Sequence, residues 1–163
     1  MTTSRFSSLG LLVGLLAGLV QHGLGEAQTP ARAEGSWESY FSASEGIHKL
    51  LFLAPGSVEG TLYFRCRPGE GRIHLIDMHE VPRDRQLRIT MDGETYRPPA
   101  RILSEETGDY LEVALPAGHA VMMGLARGHP ININGVEYPV GSADDRRAVR
   151  AFQSACAGAG RDG

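Results

Sequence analysis

The 163-residue chain carries two cysteines, one tryptophan and a single lysine, and aromatic residues make up only 7% of it. The short motifs that announce common enzyme chemistry are missing as well. There is no Gly-x-Ser-x-Gly elbow and no Gly-x-x-x-x-Gly-Lys phosphate loop, and His79-Glu80 runs into Val81-Pro82-Arg83 instead of completing a His-Glu-x-x-His zinc site. The acidic pair Glu105-Glu106 stands beside a glycine turn, where a solvated loop is expected and glycosidase machinery is not. Serine hydrolase, zincin and nucleotide-hydrolase chemistry are therefore excluded as expectations, and catalysis is not expected. No Cys-x-x-Cys spacing is present either, so neither a redox nor a metal role is expected for the cysteines.

Long hydrophobic runs are also scarce. The longest, Leu9 to Val20, has no charge and follows Arg5. It is too short for a membrane span, which takes roughly 18 or more apolar residues, and it has the length of a signal-peptide core. Two small-x-small exits follow, Gly25-Glu26-Ala27 and Ala31-Arg32-Ala33. Residues 1–33 are thus expected to be a cleaved leader, residues 34–157 one globular domain, and the glycine-rich residues 158–163 a disordered tail. A mature chain of about 130 residues suits one modest core and no more. With no cysteine near the exit, a lipoprotein anchor is not expected.

Removing the leader changes the balance from 16 basic against 19 acidic residues to 14 against 18. A mildly acidic domain does not present the concentrated basic surface on which nucleic-acid affinity depends, so nucleic acid is excluded as a partner. In an exported chain the even pair Cys66 and Cys156 is expected to form a disulfide. The loop it closes, roughly 90 residues, corresponds to roughly 4.5 kcal/mol of chain entropy.

Strand grammar fills the centre of the chain. Trp37–Ala43, Ile47–Leu53, Thr61–Cys66 and Arg72–Asp77 are short β-compatible runs separated by Gly- and Pro-bearing turns. Gln86–Met91 alternates apolar and polar residues and enters Asp92-Gly93, a two-residue hairpin signal. Pro98-Pro99 must end the strand that follows or confine it to an edge. Arg101–Ser104 and Tyr110–Leu115 continue the pattern. Ala117–Arg127 has helical composition weakened by Gly118 and Gly124, and Asn134-Gly135 joins two further strands, Ile131–Ile133 and Val136–Val140. Ser142 is placed to cap a last helix, with Asp144 and Asp145 in its first turn and Ala148, Val149, Phe152, Ala155 and Cys156 on one face. The whole reads as an α+β protein: a small antiparallel β-sandwich or rolled sheet with a short helix and a C-terminal helix stapled by the disulfide.

Three groups are candidate functional residues. Arg146, Arg147 and Arg150 form a stripe on the last helix suited to an acidic partner. His74, Met78 and His79 are a candidate copper-type ligand set, since imidazole and thioether suit that metal, but alternation puts His79 on the face opposite His74 and Met78. His119, Met122, Met123 and His129 surround the first helix, with both methionines equally suited to core packing. The strand Trp37-Glu38-Ser39-Tyr40-Phe41 reads either as an interaction edge or as core.

The strand ending in Cys66-Arg67, the Asp92-Gly93-Glu94-Thr95-Tyr96 turn, the short helix over Gly118–Ala126, and Tyr138-Pro139-Val140-Gly141-Ser142 leading into Ala148–Cys156 together resemble small secreted proteins of Proteobacteria. The final strand-Gly-helix-Cys segment is similar to that of type VI secretion accessory proteins, and the overall plan resembles the invasion-associated locus B group. The likeness covers mainly the last thirty or so residues plus one strand and turn, and its motifs are structural. It implies a periplasmic, β-rich accessory fold. The expectation is accordingly a periplasmic or secreted, non-enzymatic accessory protein that needs no cofactor, is not integral to the membrane after processing, and presents a β-surface to an envelope protein or complex. The alternatives are a periplasmic metal-binding protein and an inhibitor or binding module for an envelope hydrolase.

Overall fold

A computed structural model describes residues 31–79, 81–106 and 108–157. The expected tail and all but the last three residues of the expected leader lie outside the described residues. The elements are β1 (Ala31–Arg32), β2 (Ser36–Ser42), β3 (Ile47–Leu53), β4 (Gly60–Cys66), β5 (Arg72–Asp77), β6 (Ile89–Met91), β7 (Glu94–Tyr96), β8 (Ala100–Glu105), β9 (Gly108–Pro116), α1 (Ala120–Arg127), β10 (Ile131–Ile133), β11 (Val136–Tyr138) and α2 (Ala143–Cys156). They make an antiparallel six-stranded sheet in the order β2-β3-β4-β5-β9-β8 and a five-stranded sheet in the order β1-β11-β10-β6-β7. Neither closes into a barrel, and one continuous core joins the inner face of the larger sheet to the smaller sheet and both helices. The α+β, sandwich-like plan with a stapled terminal helix is the one expected from the sequence. No helix among the described residues is long and apolar enough to cross a membrane.

Turn chemistry sets the registers. Asp92 and Gly93, at φ 53° and 82°, join β6 to β7, and Asn134 and Gly135, at 49° and 95°, join β10 to β11. Positive φ at both central residues is what a twisted two-residue hairpin requires. The strand expected over Gln86–Met91 is shorter than its alternation suggests. Arg85 sits at φ 52° in a turn closed by its N–H to Pro82 O (2.8 Å), and the Arg88 N–H goes to the Asn134 side chain (2.9 Å) instead of a neighbouring strand. The strand expected to reach Val140 stops at Tyr138, because Pro139 has no N–H to donate. Helix α1 begins at Ala120 rather than Ala117, since His119 is its N-cap and accepts from the Val121 N–H at 3.3 Å. Gly124 within it is a packing requirement: a Cβ there would run into the Met91 thioether on β6.

Helix α2 is fixed at both ends. Ser142 and Asp145 form a reciprocal capping box, and Asp145, buried at 5% exposure, also accepts the Trp37 N–H of β2 at 3.0 Å. Burial pushes the Asp145 carboxyl up, but hydrogen bonds from the backbone N–H groups of Trp37, Ser142 and Gly141 outweigh it and hold the carboxyl below its ordinary value. At the far end Cys156 is bonded to Cys66 of β4, with 5.7 Å between their Cα atoms. Between these points Val149 and Phe152 are fully buried, and Phe64, Trp37, Phe52 and Tyr138 carry edge-on and tilted ring contacts from α2 to β11.

The described fold reaches into the expected leader. Ala31 and Arg32 pair in parallel with Val136 and Glu137, and the Ala33 N–H donates to Glu137 O at 2.7 Å, so residues 31–33 pack as part of the smaller sheet. The small residues that read as a cleavage exit satisfy the free edge of β11. Breaking the staple with Cys156→Ser should lower stability by about 4 kcal/mol, while Asp145→Ala should cost about 2 kcal/mol through the lost cap. Denaturant unfolding measures both, and hydrogen exchange should show α2 opening first in the cysteine variant.

Candidate functional site

Alternation along the strands gives the larger sheet two unlike faces. Leu50, Phe52, Leu62, Phe64, Ile73, Leu75, Leu111 and Val113 turn inward. On the other face the registers set side chains in rows across the sheet. One row is Leu51, Tyr63, Ile76, Glu112 and Arg101, and the next is Tyr40, Lys49, Arg65, His74 and Ala114. No helix or strand among the described residues covers this face, yet Ile76 and Glu112 at its centre are 0% and 1% exposed. Long neighbouring side chains lie flat over them.

Glu112 organises the basic half of the face. Its Oε1 accepts from an Arg65 guanidinium N–H at 2.9 Å, and its Oε2 accepts from Arg101 Nε. Burial works to raise the Glu112 carboxyl, but the hydrogen bonds from Arg101 and Arg65, with their charges, prevail and hold it below its ordinary value. His74 Nδ1 lies 3.2 Å from Oε1 but off the line of a hydrogen bond, which leaves this buried nitrogen without a hydrogen-bond partner. Burial also raises the Tyr63 phenol, with nearby acids adding to the effect against Arg65.

Three shallow depressions mark the same face. One of about 350 Å³ lies among Tyr40, Leu51, Tyr63, Met78 and Tyr110, with Lys49 and Glu59 at its border. Two others, of about 310 and 380 Å³, flank His74, the first bordered by Arg65 and Arg67 and the second by Arg72 and Arg101.

The candidate metal ligands His74 and His79 contact different carboxylates. His74 belongs to the Glu112 cluster. His79 binds Asp77 Oδ1 through Nδ1 at 2.7 Å, and this contact raises the imidazole above its ordinary value against the opposing effect of burial. Asp77, 3% exposed, also accepts from Asn134 Nδ2 at 3.0 Å, and the Tyr138 hydroxyl lies 3.2 Å from His79 Nδ1. These bonds clasp the end of β5 to the β10–β11 hairpin. An aspartate-oriented imidazole supplies two of the three members of a hydrolytic triad, but no hydroxyl or thiol among the described residues engages His79 Nε2. Met122 is core, Met123 is 43% exposed, His119 caps α1, and His129 pairs with Asp92 at 2.7 Å. No group of three His, Cys, Asp or Glu side chains placed to hold a metal occurs among the described residues.

Arg146, Arg147 and Arg150 do border one open depression on α2. Each is engaged within the molecule: Arg147 with Asp144 at 2.6 Å, Arg150 with Ala126 O at 3.1 Å, and Arg146 packed over Gly128. Of the aromatic strand, Trp37 is core, while Tyr40 and Phe41 are about half exposed. Sequence reasoning missed Glu112, Arg65, Arg101 and Tyr63 as a group.

Comparison with protein-family models, with curated proteins and with solved structures returned no match.

Glu112→Gln should lower stability by about 2 kcal/mol at neutral pH, because Arg65 and Arg101 then face an uncharged amide. A depressed carboxyl stabilises the fold above its unfolded value, ordinarily 4.5, and loses that contribution as pH falls through the folded value. The gap between wild type and variant should therefore close in acid below pH 4.5, as read from urea midpoints across the pH range.

Proposed function

We propose that this is an exported, non-enzymatic accessory protein of the cell envelope whose outer sheet face docks a partner protein. The observation that carries this reading is the composition of that face. The solvated side of an antiparallel sheet is ordinarily polar, whereas here the partly exposed Leu51, Tyr63 and Leu103 and the half-exposed Tyr40 lie across it with no covering element among the described residues. The Cys66–Cys156 bond supports an oxidising compartment, and the absence of a membrane-crossing helix among the described residues agrees with a periplasmic or secreted location. The resemblance to small secreted proteobacterial proteins points the same way.

Two experiments test the reading. A partner retained by the wild-type protein in envelope extracts should be lost with Tyr63→Ala and kept with Arg147→Gln on α2. Loss with both, or with neither, would contradict the assignment of the surface. Processing should leave Gln28 at the N-terminus, since a cut after Ala33 would remove β1 and the Arg32–Glu137 ion pair (3.8 Å). N-terminal sequencing of envelope material decides this, and an intact Met1 or a start at Glu34 would contradict it.

A further inference from the structure

The two halves of the outer face are chemically unlike and adjoin on one strand. Tyr63 belongs to the depression it shares with Leu51 and Met78, and Arg65 to a basic one. They are two residues apart on β4 and project the same way, so the two side chains leave the strand about 7 Å apart. Around His74 stand Arg65, Arg67, Arg72 and Arg101, while the nearby acids are Glu70, Glu112 and Glu45, the last paired with Lys49. Arg67 and Arg72 make no side-chain ion pair among the described residues. A chain with a formal charge of −3 thus concentrates cations at one place.

An arginine carries five N–H donors, and Glu112 engages one on Arg65 and one on Arg101. The donors that remain face the depressions. The planar fork of guanidinium suits a carboxylate, which it binds through paired hydrogen bonds. Arg65 and His74 retain 30% and 24% exposure at the depressions they line.

Building on the docking reading above, we propose that this face receives an extended segment of another protein, which sets an acidic side chain at His74 and an apolar side chain, two residues away, at Tyr63. In an extended strand, residues i and i+2 project to the same side about 7 Å apart, matching the spacing of Tyr63 and Arg65 along β4.

The test uses the purified disulfide-bonded protein and immobilised Gly/Ser hexapeptides. Each peptide carries one Leu and one Asp, in either order, at separations of one to four residues, with Asn replacing Asp in the controls. The two-residue separation should bind at least about tenfold more tightly than its Asn control, since a charge-assisted hydrogen bond contributes about that factor. Binding should weaken with salt, fall about tenfold in Arg72→Gln, fall in Tyr63→Ala and persist in Arg147→Gln, with thermal melts confirming that each variant is folded. Equal binding of Asp and Asn peptides, indifference to separation, or Arg72-dependent binding only to anionic phosphatidylglycerol vesicles would overturn the proposal. If the peptides fail while envelope-partner capture still depends on Tyr63, the docking face stands and the acidic-apolar chemistry falls. If capture is also indifferent to Tyr63, both fall.

Discussion

Helix α2 is held to the inner face of the large sheet at two points that depend on different chemistry, and the rest of the architecture follows from this. At its start the buried Asp145 carboxylate ties the helix N-terminus to the Trp37 backbone, and at its end a covalent bond ties it to β4. With α2, α1 and the smaller sheet all gathered on one side, the opposite side of β2-β3-β4-β5-β9-β8 has no covering element among the described residues. The inner face carries the apolar core, and the outer face carries the Glu112 cluster and its neighbouring side chains.

Glu112 shows what that division implies. A carboxylate at 1% exposure is costly unless its lone pairs are met, and here two guanidinium groups meet them. Each arginine is thereby tethered through one N–H, which lowers the entropy that an incoming anionic group would have to remove. A buried acid beneath a basic surface thus acts as the internal counter-ion that keeps the donors in place.

Local signals made much of the fold legible. Asp92-Gly93 and Asn134-Gly135 specify their turns through backbone geometry, and Ser142 with Asp145 specifies the start of α2. Cys156 follows Phe152 and Val149 on one helical face, so its inward direction was readable before its partner was. The site was less legible for a physical reason. Arg65 and Arg101 are 47 and 11 residues from Glu112 in sequence, and only the registers of β4, β5, β9 and β8 bring them together. In the sequence Glu112 is one polar residue between Leu111 and Val113, indistinguishable from a solvated strand position. His74 was noticed, but for thioether and imidazole chemistry instead of its proximity to a carboxylate. The pairing of Ala31 and Arg32 was hidden by their likeness to a processing exit, since two small or polar residues carry no β periodicity.

The chain's single lysine offers a direct probe of the central claim, because Lys49 lies on the outer face, partly exposed and paired with Glu45 at 2.8 Å. Amine-specific labelling, followed by mass analysis of the Lys49 peptide, compares the protein in intact cells with the same protein purified. A docked outer face predicts that Lys49 is protected in cells and becomes reactive on purification, with protection lost in Tyr63→Ala. Equal labelling of Lys49 in cells and in the purified wild-type protein would contradict the assignment of this face as the partner-binding surface.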